Sequence, residues 1–195
     1  MPRILVFSGS ARGGSLNGQL AALVAKRLSL AGADTTMINL SDYPLPIYDG
    51  DLEENDGIPD NVYKLRALIE NHHGVFIASP EYNSSITPLL KNTLDWISRI
   101  QLPEEEPLEV YGKGIYAIGG VSPGAYGSIR SLLHLRTVLE MGLGATVLPE
   151  MISVNFGLKA FDENGDLAKP PAQARLDKLV NRLMREASYI ELQEP

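Results

Sequence analysis

The stretch SGSARGGSLNG, residues 8–18, brings together Gly9, Gly13, Gly14 and Gly18, the hydroxyls of Ser10 and Ser15, and one cation, Arg12. Those residue types at that spacing suit an anion. Glycines let backbone N–H groups converge on one point, serines add hydroxyl donors, and a guanidinium offers a planar charged fork. A helix beginning near Ser15 to Asn17 adds orphan amides and a favourable dipole. The chemistry is that of a phosphate cradle, with a flexible Gly/Ser connector capped by Ser15 as the alternative. No Lys-Ser/Thr pair closes a Walker loop, and the glycines do not space as G-x-G-x-x-G. No acidic residue ends the second apolar segment near Leu40 to read a ribose, although Asp42 lies close. A phosphate cradle without a ribose reader suggests a mononucleotide with an open-chain sugar, and flavin mononucleotide (FMN) is the natural candidate.

Such a loop works only if rigid elements hold it. Five apolar segments bounded by turn residues are read as strands: RILVF (3–7), TTMINL (35–40), GVFIAS (74–79), GIYAIGG (114–120) and TVLPEMISV (146–154). Most are continuously apolar, as parallel strands covered on both faces are. Five helical patterns lie between and after them. The cleanest puts Leu176, Leu179, Val180, Leu183, Met184 and Ala187 on one stripe after Pro170 and Pro171. Five strands alternating with five helices predict an α/β doubly wound sheet, and ligands then bind at the carboxyl ends of its strands, where the strand order reverses. With no internal repeat or linker, residues 1–195 are read as one domain.

The third segment ends in ASPEYNSSITPLLKNTLDWISR (78–99), which places Pro80, Glu81, Tyr82 and Asn83 at the other wall of that crevice. Backbone donors and an aromatic ring there suit a flat heterocycle. On these two stretches the chain resembles the NAD(P)H-dependent FMN reductase family, the flavodoxin-like group that includes chromate, quinone and azo-dye reductases. The shared residues are Gly9, Ser10, Arg12, Ser15 and Asn17 in the first loop. Pro80 to Asn83 follow, and then Pro88, Leu90, Lys91, Asn92, Asp95 and Trp96, with Leu90 one place early relative to the family pattern. FDENGDL before the last helix extends the likeness over nearly the full length.

The resemblance implies a flavodoxin-like three-layer sandwich with a five-stranded parallel sheet in the order 2-1-3-4-5. It implies that Ser10, Arg12, Ser15 and the amides of Leu16 and Asn17 bind the FMN phosphate. Pro80, Glu81, Tyr82, Asn83 and Ser84 then border the isoalloxazine, and Ser122, in the loop after the fourth strand, stands near the ribityl chain or ring. Hydride passes from NADPH or NADH to FMN and on to a quinone, azo compound, chromate or similar small-molecule acceptor by a ping-pong sequence. No side chain is expected to act catalytically, and Tyr82 is expected to shape the acceptor space. Lys91, Asp95, Trp96 and Arg99 sit on the helix that the family uses in subunit contacts, so a homodimer or homotetramer is expected. A flavodoxin-type electron carrier fed by a partner protein, or a reductase that releases reduced FMN, are the competing readings.

Other patterns compete for attention. Gly120 to Gly124 match G-x-S-x-G, which would make Ser122 a hydrolase nucleophile, but the only later histidine is His134, inside the adjoining helix. Asp162, Asn164 and Asp166 imitate a calcium loop, with Gly165 too early for the required glycine and Gln173 where Glu is required, and an Asn-Gly turn explains them. His72 and His73 end a helix, where a cation is favourable, rather than marking a metal site. The run Glu104 to Glu106 beside Pro103 and Pro107 reads as a solvated loop. A net charge of −7 with no basic run argues against nucleic acid, the absence of cysteine excludes thiol chemistry, and no segment is apolar enough for a signal peptide or membrane span. A cytoplasmic location is the expectation.

Overall fold

The computed structural model describes residues 1–193; Glu194 and Pro195, the last two positions of the expected domain, lie outside them. Strands β1 (Arg3–Ser8), β2 (Asp34–Asn39), β3 (Gly74–Ala78), β4 (Ile115–Val121) and β5 (Thr146–Val154) form one parallel sheet in the order β2-β1-β3-β4-β5. The order and the strand count are those expected, and each boundary falls within one residue of the sequence reading.

Side chains alternate along each strand, so the sheet builds two cores. Ile4, Val6, Phe76 and Ala117 face α1 (Leu16–Leu30) and a long C-terminal helix, Pro170–Glu191. Leu5, Phe7, Val75, Ile77 and Ile118 face the opposite layer. That layer holds α3 (Asp60–Glu70), α4 (Pro88–Ile97), α5 (Glu109–Gly112) and α6 (Ile129–Thr137). The helix Gly50–Asp56 is α2, which makes the C-terminal helix α7. On α7 the predicted stripe is buried at Leu176, Leu179, Val180, Leu183 and Ala187, with Met184 partly covered.

Three expectations change. There are seven helices among the described residues rather than five, because α2 carries the acidic sequence DLEEND with no buried residue and α5 is a single turn. Asp49 caps α2 by accepting from the backbone N–H of Asp51 and Leu52, at 2.8 and 3.4 Å. Second, β2 is an edge strand and is not covered on both faces: Met37 stays 47% exposed. Third, Glu104 to Glu106 is not simply solvated. Glu105 meets Arg66, which lies buried on the core side of α3, at 2.5–2.6 Å, and Lys113 at 3.2 Å. Burial alone would raise the Glu105 carboxyl, but hydrogen bonds from Arg66, the Leu102 N–H and Lys113 together hold it below the usual carboxylate range.

The histidines after α3 are also corrected. His72 is 9% exposed, and burial pushes its pKa below the ordinary value, against the hydrogen bond to the Leu68 carbonyl at 2.5 Å. It is therefore neutral at pH 7 and is no helix-terminal cation. His73 accepts the Arg3 N–H at Nδ1, 2.9 Å. The depressed pKa of His72 has a defined sign. Below about pH 6.5 the unfolded chain takes up a proton that the folded chain refuses, so stability falls as pH drops from 7 toward 5. Urea unfolding should show the stability difference between the wild type and His72→Gln narrowing over that interval.

Candidate functional site

The crevice lies at the carboxyl ends of β1, β3 and β4, and local chemistry fixes each wall. Residues 9–15 leave β1 with Gly14 at φ 66°, a left-handed turn that glycine makes without strain. Ser15 caps α1, its Oγ accepting the Gly18 N–H at 2.9 Å. The Leu16 and Asn17 amides belong to the first turn, where an α-helix offers no internal acceptor. Beside them the Arg12 guanidinium is exposed and takes no acceptor among the described residues. Two free amides and a free guanidinium at one helix start fit a phosphate. Ser10 and Ser15 can add hydroxyl protons, although both oxygens already accept backbone N–H groups, from Arg12 and Gly18.

The loop is anchored from behind. Thr87, the cap of α4, donates its hydroxyl to the Gly9 carbonyl at 2.6 Å and accepts from the Leu90 N–H. Asn17 is buried and directs its side chain to the end of β4, at Val121. Its Nδ2 donates to the Val121 carbonyl and its Oδ1 accepts the Val121 N–H, both at 2.9 Å. The pairing of β3 with β4 ends at Ala78 and Gly119, so Asn17 stands where a further β3 residue would have stood. One amide side chain thus ties the start of α1 to the end of β4.

The second wall starts at buried Pro80. Tyr82 and Ser85 exchange backbone hydrogen bonds of 2.9 and 3.0 Å around Asn83 (φ 50°) and Ser84 (φ 68°), a tight turn with both central residues left-handed. Tyr82 is 53% exposed and faces the crevice, whereas Asn83 and Ser84 stand at the turn tip, outside it. Glu81 lines the crevice, yet its carboxylate, 5% exposed, turns to α6. It pairs with the Arg130 guanidinium and accepts the backbone N–H of Arg130 and Ser131 at 3.1 and 3.3 Å. Helix α6 has no cap of its own, since Ser128 enters it at φ 66°, so Glu81 caps it from another loop. Glu81→Ala is expected to cost about 1–2 kcal/mol, the usual value of a lost cap. Glu81→Gln should cost less than half as much in urea unfolding, because it keeps an acceptor.

The third wall is Val121 and Ser122, extended by Pro123. Only glycine fits at Gly120, where a Cβ would lie 2.5 Å from the Ser79 carbonyl oxygen and 2.8 Å from the Ser128 Cβ. Ser122 accepts the Gly124 N–H at Oγ, 3.2 Å, while His134 Nδ1 lies 3.1 Å from Ser85 Oγ. Ser122 therefore has no histidine base, and the hydrolase reading ends. Together the three walls enclose a cleft of about 430 Å³ that gathers Ser10, Arg12, Ser15, Leu16, Asn17, Pro80, Glu81, Tyr82 and Ser122. Sequence reasoning missed Gln19 and Leu158, which also line it; an exposed leucine in the loop after β5 carries no signal in one sequence.

The profile of a family described as NADPH-dependent FMN reductase matches residues 2–159, a span that holds all three walls. The chain belongs to that family. Membership makes it an oxidoreductase that works with FMN and a nicotinamide donor. It is 31% identical over 191 residues to a quinone reductase of Escherichia coli K12, covering 97% of this chain and 95% of the relative. It is 38% identical over 178 residues to an NAD(P)H:quinone oxidoreductase of Solanum tuberosum, covering 89% and 87%. Among solved structures, the flavoenzyme NAD(P)H:(acceptor) oxidoreductase FerB of Paracoccus denitrificans superposes with a TM-score of 0.76 at 26% identity, over 98% of both chains.

Two further sequence patterns resolve structurally. Asp162 to Asp166 form a turn with Gly165 at φ 77°, in which Asp162 accepts the N–H of Asn164 and Asp166. Lys91 and Asp95 form an (i, i+4) pair at 2.7 Å. Trp96 is wholly buried within its own chain, which removes it from the residues expected to meet a second subunit.

Proposed function

We propose that the protein is an FMN-loaded reductase that takes hydride from NADPH or NADH and passes the electrons to quinones, with azo compounds and chromate as further acceptors, by a ping-pong sequence. The observation that carries this reading is the single cleft in which a helix start with free amides and the Arg12 guanidinium faces the wall of Pro80, Glu81 and Tyr82. Bound FMN supplies the two-electron chemistry. The residues supply position: Arg12, the Leu16 and Asn17 amides and the hydroxyls of Ser10 and Ser15 hold the phosphate. Pro80, Glu81 and Tyr82 border the ring through their backbone and the Tyr82 side chain, and Ser122 closes the far side. Asn83 and Ser84 act by shaping the turn that presents Tyr82. No side chain serves as acid or base, because hydride transfer asks only that donor and ring be stacked.

The assembly is proposed as one FMN-binding domain over residues 1–195, working in the cytoplasm as a homodimer or homotetramer with small-molecule acceptors and no nucleic-acid partner. The net charge of −7 supports the absence of a nucleic-acid partner, and no helix among the described residues is long and apolar enough to cross a membrane. Initial rates with NADPH and benzoquinone varied together test the reaction order. Parallel double-reciprocal lines are expected, and intersecting lines would refute the ping-pong sequence. Arg12→Ala should raise the Kd for FMN about 10–100-fold, since one charge-assisted hydrogen bond is worth roughly 1.5–3 kcal/mol. Quenching of FMN fluorescence measures it.

A further inference from the structure

The phosphate loop has a second face. On the side away from β3 and β4, a cavity of about 320 Å³ lies between the loop, α1 and the end of β2. Ala22, Met37, Ile38 and Asn39 set it apart, and Ser10, Arg12, Gly14, Ser15 and Gln19 also line the larger cleft. Its floor is apolar, with Met37 held half-exposed on a strand. Asn39, the last residue of β2, accepts the Ser41 N–H at Oδ1, and its Nδ2 has no acceptor among the described residues. No carboxylate lines the cavity, and Arg12 is its one cation.

An apolar shelf, a free amide donor and a guanidinium match a purine nucleoside carrying a phosphate. In the dinucleotide-binding doubly wound folds, whose G-x-G-x-x-G loop this chain lacks, the end of the second strand reads the ribose: an acid holds a free 2′-hydroxyl, whereas a nearby arginine accommodates a 2′-phosphate, and the same residue chemistry is available here. Here the position is a neutral Asn39 with Arg12 opposite. Distance permits the connection. From β4 to β2 is three strand spacings, roughly 14 Å, which an extended dinucleotide crosses.

We propose that this second cavity holds the adenosine 2′-phosphate end of the nicotinamide donor, with Arg12 shared between that phosphate and the phosphate of FMN. The proposal rests on the reading that FMN and nicotinamide stack in the larger cleft. It makes NADPH the preferred donor, and Asn39 and Arg12 the residues that set the preference. The five N–H donors of one guanidinium suffice for two phosphates.

The test uses the oxidised, FMN-loaded protein titrated calorimetrically with adenosine 2′,5′-bisphosphate and with adenosine 5′-phosphate. The bisphosphate is expected to bind in competition with NADPH, and the monophosphate at least tenfold more weakly. Ala22 lies on the exposed side of α1, so Ala22→Trp fills the cavity without touching the core. It should raise the bisphosphate Kd and the KM for NADPH at least tenfold while leaving the Kd for FMN unchanged. Asn39→Asp keeps the cap on Ser41 and should narrow the NADPH-over-NADH preference by tenfold or more. Absence of bisphosphate binding, equal binding by Ala22→Trp, or an equal loss of FMN affinity in that variant would overturn the proposal. Because binding needs no turnover, bisphosphate that binds and is expelled by Ala22→Trp supports the cavity even if FMN stays oxidised with NADPH. That last result would overturn the reductase reading alone.

Discussion

Asn17→Ala is expected to lower the stability of the FMN-free protein by about 2–4 kcal/mol and to raise the Kd for FMN at least tenfold. The cost follows from burial. Removing the side-chain amide leaves the N–H and the carbonyl of Val121 without the partners they have at 2.9 Å, and each orphaned buried group costs roughly 1–3 kcal/mol. The loss of FMN affinity follows from position, because the same amide fixes the start of α1 against the end of β4, the two sides of the cleft. Asn17→Asp should fare no better: its carboxylate still accepts from the Val121 N–H but meets the Val121 carbonyl with no proton to offer. Urea unfolding without FMN gives the first quantity, free of the stabilisation that a bound ligand adds. A change within about 0.5 kcal/mol, the range of an ordinary surface substitution, would contradict the bracing role.

Trp96→Ala is expected to be the most destabilising of these substitutions, at about 3–5 kcal/mol, the usual cost of emptying a large aromatic site. Trp96 is 0% exposed and meets Tyr48 edge-to-face, with centroids 5.1 Å apart and planes at 86°. Its Nε1 donates to the Pro46 carbonyl at 2.8 Å. Asn92 holds the same segment, donating to Pro46 and accepting the Tyr48 N–H, both at 2.8 Å. Trp96→Phe keeps most of the buried area and should lose less than half as much. Because this is the only tryptophan, unfolding is best followed by circular dichroism. Equal losses for both variants would show that the Pro46 hydrogen bond, not ring burial, dominates.

These two residues also mark how far the sequence could be read. The place of the Gly/Ser loop between β1 and α1 was legible because an apolar segment precedes it and Ser15 signals a helix cap, and the strands because buried parallel segments are continuously apolar. The side chain of Asn17 was not legible. An asparagine at a helix start looks the same in sequence whether it faces a ligand or a strand end, and only the pairing limit of β3 shows which. Glu81 is similar: in P-E-Y-N it reads as part of the ring wall, whereas Arg130, 49 positions away, draws its carboxylate onto the uncapped start of α6. Helix α2 was not legible because none of its residues is fully buried, and its one signal is the Asp49 cap. Arg66 hid on the core face of α3 because a charge in an apolar stripe is visible as buried only once Glu105 is found beside it. The cavity beside Asn39 depends on β2 being an edge strand next to β1, which is a property of strand order and not of any local stretch.

The measurement that tests the central claim most directly is the visible spectrum of the FMN-loaded protein, free of oxygen, as NADPH and then NADH are added. Rapid bleaching of the yellow colour, with the colour restored when a quinone is admitted, is the result this account predicts. A spectrum unchanged by both donors would contradict it and would favour the competing reading, a carrier that draws its electrons from another protein.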